Sequence, residues 1–164
     1  MIAEILILAV MMLLPFIEIR IAIPVGILAG SILLPFGIQL GGMQIHFAIV
    51  FFLSIIMGFL LGVILFNLLH LLDEPLKRSK FSKKYIRTLE KAQKKIHKKV
   101  EKYGIWGLAI WIFLPVPGTG IYVGSLGGYA LGFEKKDFYR ALLLGVILEA
   151  IIVTSITLFG MKIF

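Results

Sequence analysis

The chain has 164 residues, 60% of them hydrophobic, and a mean hydropathy of +1.02, more apolar surface than a soluble domain of this size can hide in a core. It has no cysteine, which excludes disulfides and Cys-based metal or redox sites. Its net charge of +8 is concentrated, with 12 of 17 Lys and Arg between Asp73 and Lys102 beside four acids, as in the cytoplasmic loop of a membrane protein rather than a nucleic-acid-binding surface.

The N-terminus lacks the basic start and small-residue cleavage site of a signal peptide, so Met1 to Leu14 is expected to stay attached. Ile2 to Leu14 is apolar but shorter than the roughly 20 residues a full span needs. Glu18 and Arg20 interrupt the apolar run, which resumes from Arg20 to Leu34 and ends at Pro35 and Gly37. Two adjoining short pieces with a break between them predict a re-entrant hairpin over 2–34, a backbone tolerated at membrane depth only where protein or a watery cavity surrounds it. An uncharged link, Pro35 to Gln44, precedes a full span over 46–72, with His46 and His70 flanking it as interface residues. From Phe81 to Lys102, Ile86, Leu89, Ile96, Val100 and Tyr103 recur at helical spacing among lysines, predicting a basic amphipathic helix in the linker 73–102. A second broken region occupies 104–133, the charged link Glu134 to Arg140 follows, and a last span covers 138–162 with Glu149 inside it.

The two broken stretches correspond. Aligning Pro15 with Pro115 brings Leu14 onto Leu114, Ile21 onto Ile121 and a break at Pro24 onto one at Gly124. Basic residues on both flanks put the ends of 104–133 on the cytoplasmic side, and the uncharged 35–44 link on the other. The expected fold is therefore an all-α integral membrane protein of the plasma membrane, a single domain of two inverted halves. The first half is 1–72 and the second 103–164, each a re-entrant hairpin plus one full helix, joined by the basic cytoplasmic linker.

Paired apolar segments broken by Gly and Pro at corresponding positions point to a transporter's binding site. Pro115, Pro117 and Gly118-Thr119-Gly120 open the second half-helix with free backbone N–H groups, an arrangement suited to an anion, with the Thr119 hydroxyl as a further donor. The same residues also suit a tight turn with glycines for close helix packing. Glu18 and Arg20 are costly at membrane depth and ask for a reason: Arg20 to hold an anionic substrate and Glu18 to carry a coupling proton, or the two to satisfy one another or the broken backbone. Glu149 is a candidate partner for Arg20, a second proton carrier, or a neutral carboxyl hydrogen-bonded to a neighbouring helix. No metal-ligand cluster and no nucleophile–base arrangement stands out, so neither cofactor nor enzyme activity is expected.

The motifs E-I-R-I-A-I-P-V-G at Glu18 to Gly26 and L-P-V-P-G-T-G-I-Y-V-G-S-L at Leu114 to Leu126 resemble those of the small multidrug export proteins of bacteria and archaea, a family related to the DedA (SNARE-associated, VTT-domain) superfamily. The resemblance covers nearly the whole chain. It implies paired re-entrant hairpins and transport, and the DedA relatives imply movement of lipid-linked phosphates or phospholipids, often with proton dependence. The expected function is thus proton-coupled transport of an anionic amphiphile. Arg20, Gly118, Thr119 and Gly120 would bind the substrate, and Glu18 and Glu149 would handle protons. The expected partners are membrane lipids, the substrate and protons; the repeats allow a pathway in one monomer or in a homodimer. A multidrug exporter, an uncoupled scramblase and a membrane scaffold are the alternatives.

Overall fold

The computed structural model describes residues 2–15, 17–33, 39–78, 83, 86–88, 90, 91, 94, 103–114 and 119–163. Two short helices, α1 (Ile2–Met12) and α2 (Glu18–Ile27), are followed by two short strands, β1 (Ser31–Leu33) and β2 (Gln39–Gly41), and a long helix α3 (Phe47–Arg78). After the linker come a second short pair, α4 (Ile105–Phe113) and α5 (Ile121–Ala130), and a second long helix, α6 (Lys135–Ile163). The helical class expected from sequence holds, with one addition. The segment after α2 folds as an antiparallel ribbon, with Ser31 opposite Gly41 and Leu33 opposite Gln39.

The long helices carry apolar stretches of 27 residues (Phe47–Asp73) and 26 residues (Lys135–Gly160). At 1.5 Å per residue each is about 40 Å long, enough to cross a hydrocarbon core of about 30 Å with tilt. α3 shows why water is the wrong solvent for it. Phe52, Ile56, Leu60, Ile64, Leu68 and Leu71 recur every three or four residues as one exposed stripe, with Phe52 64% and Leu71 74% accessible. A stripe of that extent is costly in water and free of cost against lipid tails. The chain is a membrane protein.

Two compact units divide the chain, Met1–Gly58 with Ile147–Phe164, and Phe59–Val146. In the first, α1 packs on α2, and Leu8, Met12, Ile19, Ala22, Ile23, Val50 and Ala150 are fully buried. Gly26 makes this packing possible: a Cβ there would stand 2.9 Å from Leu8 and 3.0 Å from Val50, so α2 meets α1 and α3 at one bare backbone position. The returning chain closes the C-terminal end of α2. Met43 N–H donates to the Val25 carbonyl (2.9 Å), Ile45 N–H to Gly26 (2.8 Å) and Gln44 N–H to Leu28 (3.4 Å). Those carbonyls would otherwise be the orphans of a helix end, an expensive state in lipid.

In the second unit α4 packs on α5, and Phe66 and Phe138 stack with centroids 3.9 Å apart and planes 8° from parallel. Gly124 and Gly145 lie against Ile112, where a side chain would collide, the usual role of small residues between membrane helices. Of the linker, Lys83, Ile86, Arg87, Thr88, Glu90, Lys91 and Lys94 are helical and exposed.

Two sequence expectations about the breaks need correction. The interruption between α1 and α2 lies at residues 13–17, around Pro15, and Pro24 sits inside α2. Proline there removes one N–H, so the Arg20 carbonyl loses its helical donor while the helix continues. Gly124 likewise lies inside α5, its N–H donating to the Gly120 carbonyl at 2.8 Å, and its smallness serves packing. Pro115, Pro117 and Gly118 lie outside the described residues.

Candidate functional site

In the first unit, charged residues of α2 and α6 meet. Arg20, in the first turn of α2, points its Nε at Glu149 of α6, donating to Oε1 at 2.6 Å across 129 positions of sequence. The Glu149 side chain is 0% accessible and that of Arg20 is 20% accessible. The pair is thus formed by two elements that each supply one long side chain from an otherwise apolar face: α2 reads E-I-R-I-A-I-P-V-G-I, and α6 has Val146, Ala150 and Val153 buried around Glu149. The pairing of Arg20 with Glu149 is one of the readings the sequence left open, and the structure adopts it. A charge-assisted bond of this length is among the strong ones, and it offsets the cost of removing both charges from water.

The carboxylate is only half satisfied. Glu149 Oε2 is buried and has no hydrogen-bond partner among the described residues. An ionised carboxylate accepts at both oxygens, so a buried bare one is an exception that asks for a proton or a second donor.

Glu18 completes the cluster. It is 7% accessible, begins α2, and lies near enough to Glu149 for its charge to act there. A carboxylate suits a helix N-terminus electrostatically. Its backbone, however, has φ +41°, a left-handed conformation that non-glycine residues adopt at a cost of order 1–3 kcal/mol. Strain of this kind persists where surrounding structure holds it.

The other predicted substrate groups belong to the second unit. Gly120 caps α5 with φ +101°, a conformation glycine tolerates. Thr119 Oγ donates to the Leu114 carbonyl at 2.6 Å, bridging the break between α4 and α5. That hydroxyl proton therefore closes a turn in this conformation. His46 begins α3 as a cap, its Nδ1 accepting the Ala48 N–H at 3.3 Å. Asn67 donates to the Val63 carbonyl and to the Tyr139 hydroxyl, and His70 rests against Phe66 and Tyr129 with ring centroids 4.6 and 4.7 Å away. Sequence reasoning took His70 as an interface residue and missed this aromatic set. The aromatics of α5 and α6 that receive them, Tyr129, Phe138 and Tyr139, were the available signal. It also missed two buried hydroxyls, Ser125 and Thr154, whose oxygens have no partner among the described residues.

Among the described residues no cluster of His, Asp and Glu has the makings of a metal site. Two apolar helices of bilayer length, two pairs of short helices and a buried ion pair joining α2 to α6 describe an integral membrane protein with an ionisable core. The family described as "Putative small multi-drug export protein" matches residues 18–152, and the chain belongs to that family. No curated protein and no solved structure matches it.

Proposed function

We propose that the protein is a proton-coupled transporter of an anionic amphiphile, a lipid-linked phosphate or phospholipid headgroup, in which Arg20 exchanges the Glu149 carboxylate for the substrate. The observation that carries this reading is the 2.6 Å contact from Arg20 Nε to a fully buried Glu149 whose second oxygen is unpartnered. Charge balance explains the coupling. With both glutamates ionised the cluster carries one net negative charge. A proton on Glu149 and a monoanionic phosphodiester on Arg20 leave that sum unchanged, so the loaded site buries no more net charge than the empty one. Proton without anion, or anion without proton, changes it.

The frame fits this use. α1, α2, α4 and α5 have 11, 10, 9 and 10 residues, each about half the length needed to cross the hydrocarbon core. We read each pair as a re-entrant hairpin, the two as inverted halves, and the basic linker as cytoplasmic. Glu18, beside the pair, is a second proton carrier. Thr119 and the backbone of Gly118 to Gly120 are kept as substrate groups of the second hairpin, with the Thr119 hydroxyl released from Leu114 when the substrate enters.

A second reading rests on the same count of charges. Two carboxylates against one guanidinium also suit a cationic amphiphile, which would make the protein a drug exporter with Glu18 at the substrate. Resistance lost in Glu18→Gln and kept in Arg20→Lys selects that reading.

The test is leaflet exchange in liposomes loaded with a labelled polyprenyl phosphate or a labelled phospholipid, with and without a pH gradient. Wild type should exchange one of them in response to the gradient, and Arg20→Ala should not exchange. Glu149→Gln should lose the response to the gradient. A Glu149→Gln variant that follows the gradient like wild type refutes the exchange mechanism, and exchange by wild type that ignores the gradient makes the protein a scramblase.

A further inference from the structure

We infer that protons reach Glu149 from the C-terminal end of α6, through waters that enter beside Gly160 and are held by the hydroxyls of Thr157 and Thr154. The inference rests on the reading of Glu149 as a proton carrier and deepens it by naming the carrier's route.

The inner face of α6 is asymmetric about Glu149, which lies midway along the helix, about 21 Å from either end. Toward the N-terminus, Phe138, Leu142 and Val146 share its side of the helix, and all three are apolar and fully buried. That half gives a proton nothing to bind. Toward the C-terminus the buried positions are Ala150, Val153, Thr154 and Thr157, spaced three and one apart as one continuous face. Between Glu149 and Lys162 the helix carries no charge, so the polar side chains available there are hydroxyls. Arg20 and Glu18, the charged groups that act on Glu149 among the described residues, both come from α2.

The two buried hydroxyls differ. Thr157 Oγ1 donates to the Val153 carbonyl at 2.8 Å, the ordinary way a threonine settles in a membrane helix, and keeps its lone pairs to accept. Thr154 Oγ1 is buried with no partner among the described residues. Valine has the same shape without the cost of a buried unpaired hydroxyl, so packing alone does not call for threonine there. Glu149 Oε2 is orphaned in the same way, while Arg20 holds Oε1. The two orphans stand on positions about 7.5 Å apart along one helix, a gap that two or three waters at about 2.8 Å spacing close. Thr154 donates to one of these waters and accepts from the next. A proton passed along the file bonds to Oε2 and is replaced at the far end, so one carboxylate and one hydronium become one carboxylic acid and one water. The file has a mouth. Gly160 lies about three turns beyond Glu149, on the same side of α6, and a Cβ there would meet nothing within 4 Å.

The experiment follows the carbonyl stretch of protonated Glu149 by infrared spectroscopy after a rapid drop in pH, with the full chain in liposomes and no transport substrate. The band is identified by its loss in Glu149→Gln. Thr154→Val should slow its appearance about 10-fold, the worth of one hydrogen bond in the file, without changing its final size. Thr154→Ser should keep the wild-type rate. Gly160→Phe, placed where a side chain has room, should also slow the band, and it carries the test should Thr154→Val fail to fold. Formate, a small acid that ferries protons, should restore the rate in both slow variants, which a merely structural defect would not allow. Equal rates in wild type, Thr154→Val and Gly160→Phe overturn the route and leave Glu149 as the carrier. A wild type that shows no such band at any pH overturns the carrier reading and the route with it.

Discussion

The Arg20–Glu149 pair can be weighed by a double-mutant cycle of Arg20→Met, Glu149→Met and the two together. At about 4 Å between charge centres and an effective dielectric near 20, the attraction is about 4 kcal/mol. Removing one partner of a buried pair typically costs 3–5 kcal/mol, because the other is left uncompensated. Arg20 is 20% accessible, so water takes part of its load and the low end applies. Arg20→Met should therefore lose about 3 kcal/mol, since it leaves Glu149 buried with both oxygens bare. Glu149→Met should lose about 2 kcal/mol, because the guanidinium retains some water. The double variant, with two apolar side chains of similar reach, should lose less than either single change, giving a coupling above about 3 kcal/mol. Stability would be read from unfolding of the purified protein in a mild detergent at fixed pH, and exchange from the liposome assay. All three variants should be inactive, including the double variant that folds well. Additive losses within about 0.5 kcal/mol would show that the pair does not interact as its geometry requires. Active double variant would show that the pair only braces the fold.

Three further outcomes follow from particular contacts. At Glu18, glycine should be more stable than alanine by about 1 kcal/mol in a thermal melt, the reverse of their order inside an ordinary helix, because φ is +41° there. Alanine equal to or better than glycine would remove the strain argument. Thr119→Val should lose about 1 kcal/mol through the bond to the Leu114 carbonyl, and Thr119→Ser should keep it; equal stability of the two variants would mean the bond contributes nothing. Gly26→Val should cost 1–3 kcal/mol by overpacking against Leu8 and Val50, and Leu8→Ala in the same chain should recover part of it. An unchanged melting curve for Gly26→Val would show that α2 does not meet α1 and α3 there.

The broad plan was legible in sequence because a bilayer makes it so: long uninterrupted apolar runs became α3 and α6, and shorter ones became the helix pairs. Helix ends were less legible. Pro24 looked like a break because proline removes a backbone donor, yet neighbouring helices can hold a membrane helix together around one missing bond. Gly124 looked like a break for its freedom and turned out to be chosen for its size, since Ile112 occupies the space a side chain would need. The ribbon after α2 escaped notice because its register is set by backbone pairing to Gly30, Val25 and Gly26, which no local pattern announces. The pairing of Arg20 with Glu149 was one of several options. Intramembrane charges must find partners, but sequence cannot choose among them when 129 positions intervene. Ser125 and Thr154 gave no signal, since hydroxyls in membrane helices usually bond their own backbone, as Thr157 does with the Val153 carbonyl.

The returning chain at residues 43–45 has a mechanical consequence. It ties down the C-terminal end of α2 through the carbonyls of Val25, Gly26 and Leu28, and Pro24 sits just before that anchor. The N-terminal turn, with Glu18 and Arg20, is joined to that anchor across the proline, and its far end is held by the bond from Arg20 to Glu149. Once that bond opens, a small rotation at Pro24 would move the guanidinium by several times the displacement at the anchor, with no rearrangement of the ribbon. Amide hydrogen exchange would see this as an asymmetry within ten residues: slow exchange at Met43 and Ile45, whose amides hold the anchor, and faster exchange at the first turn of α2.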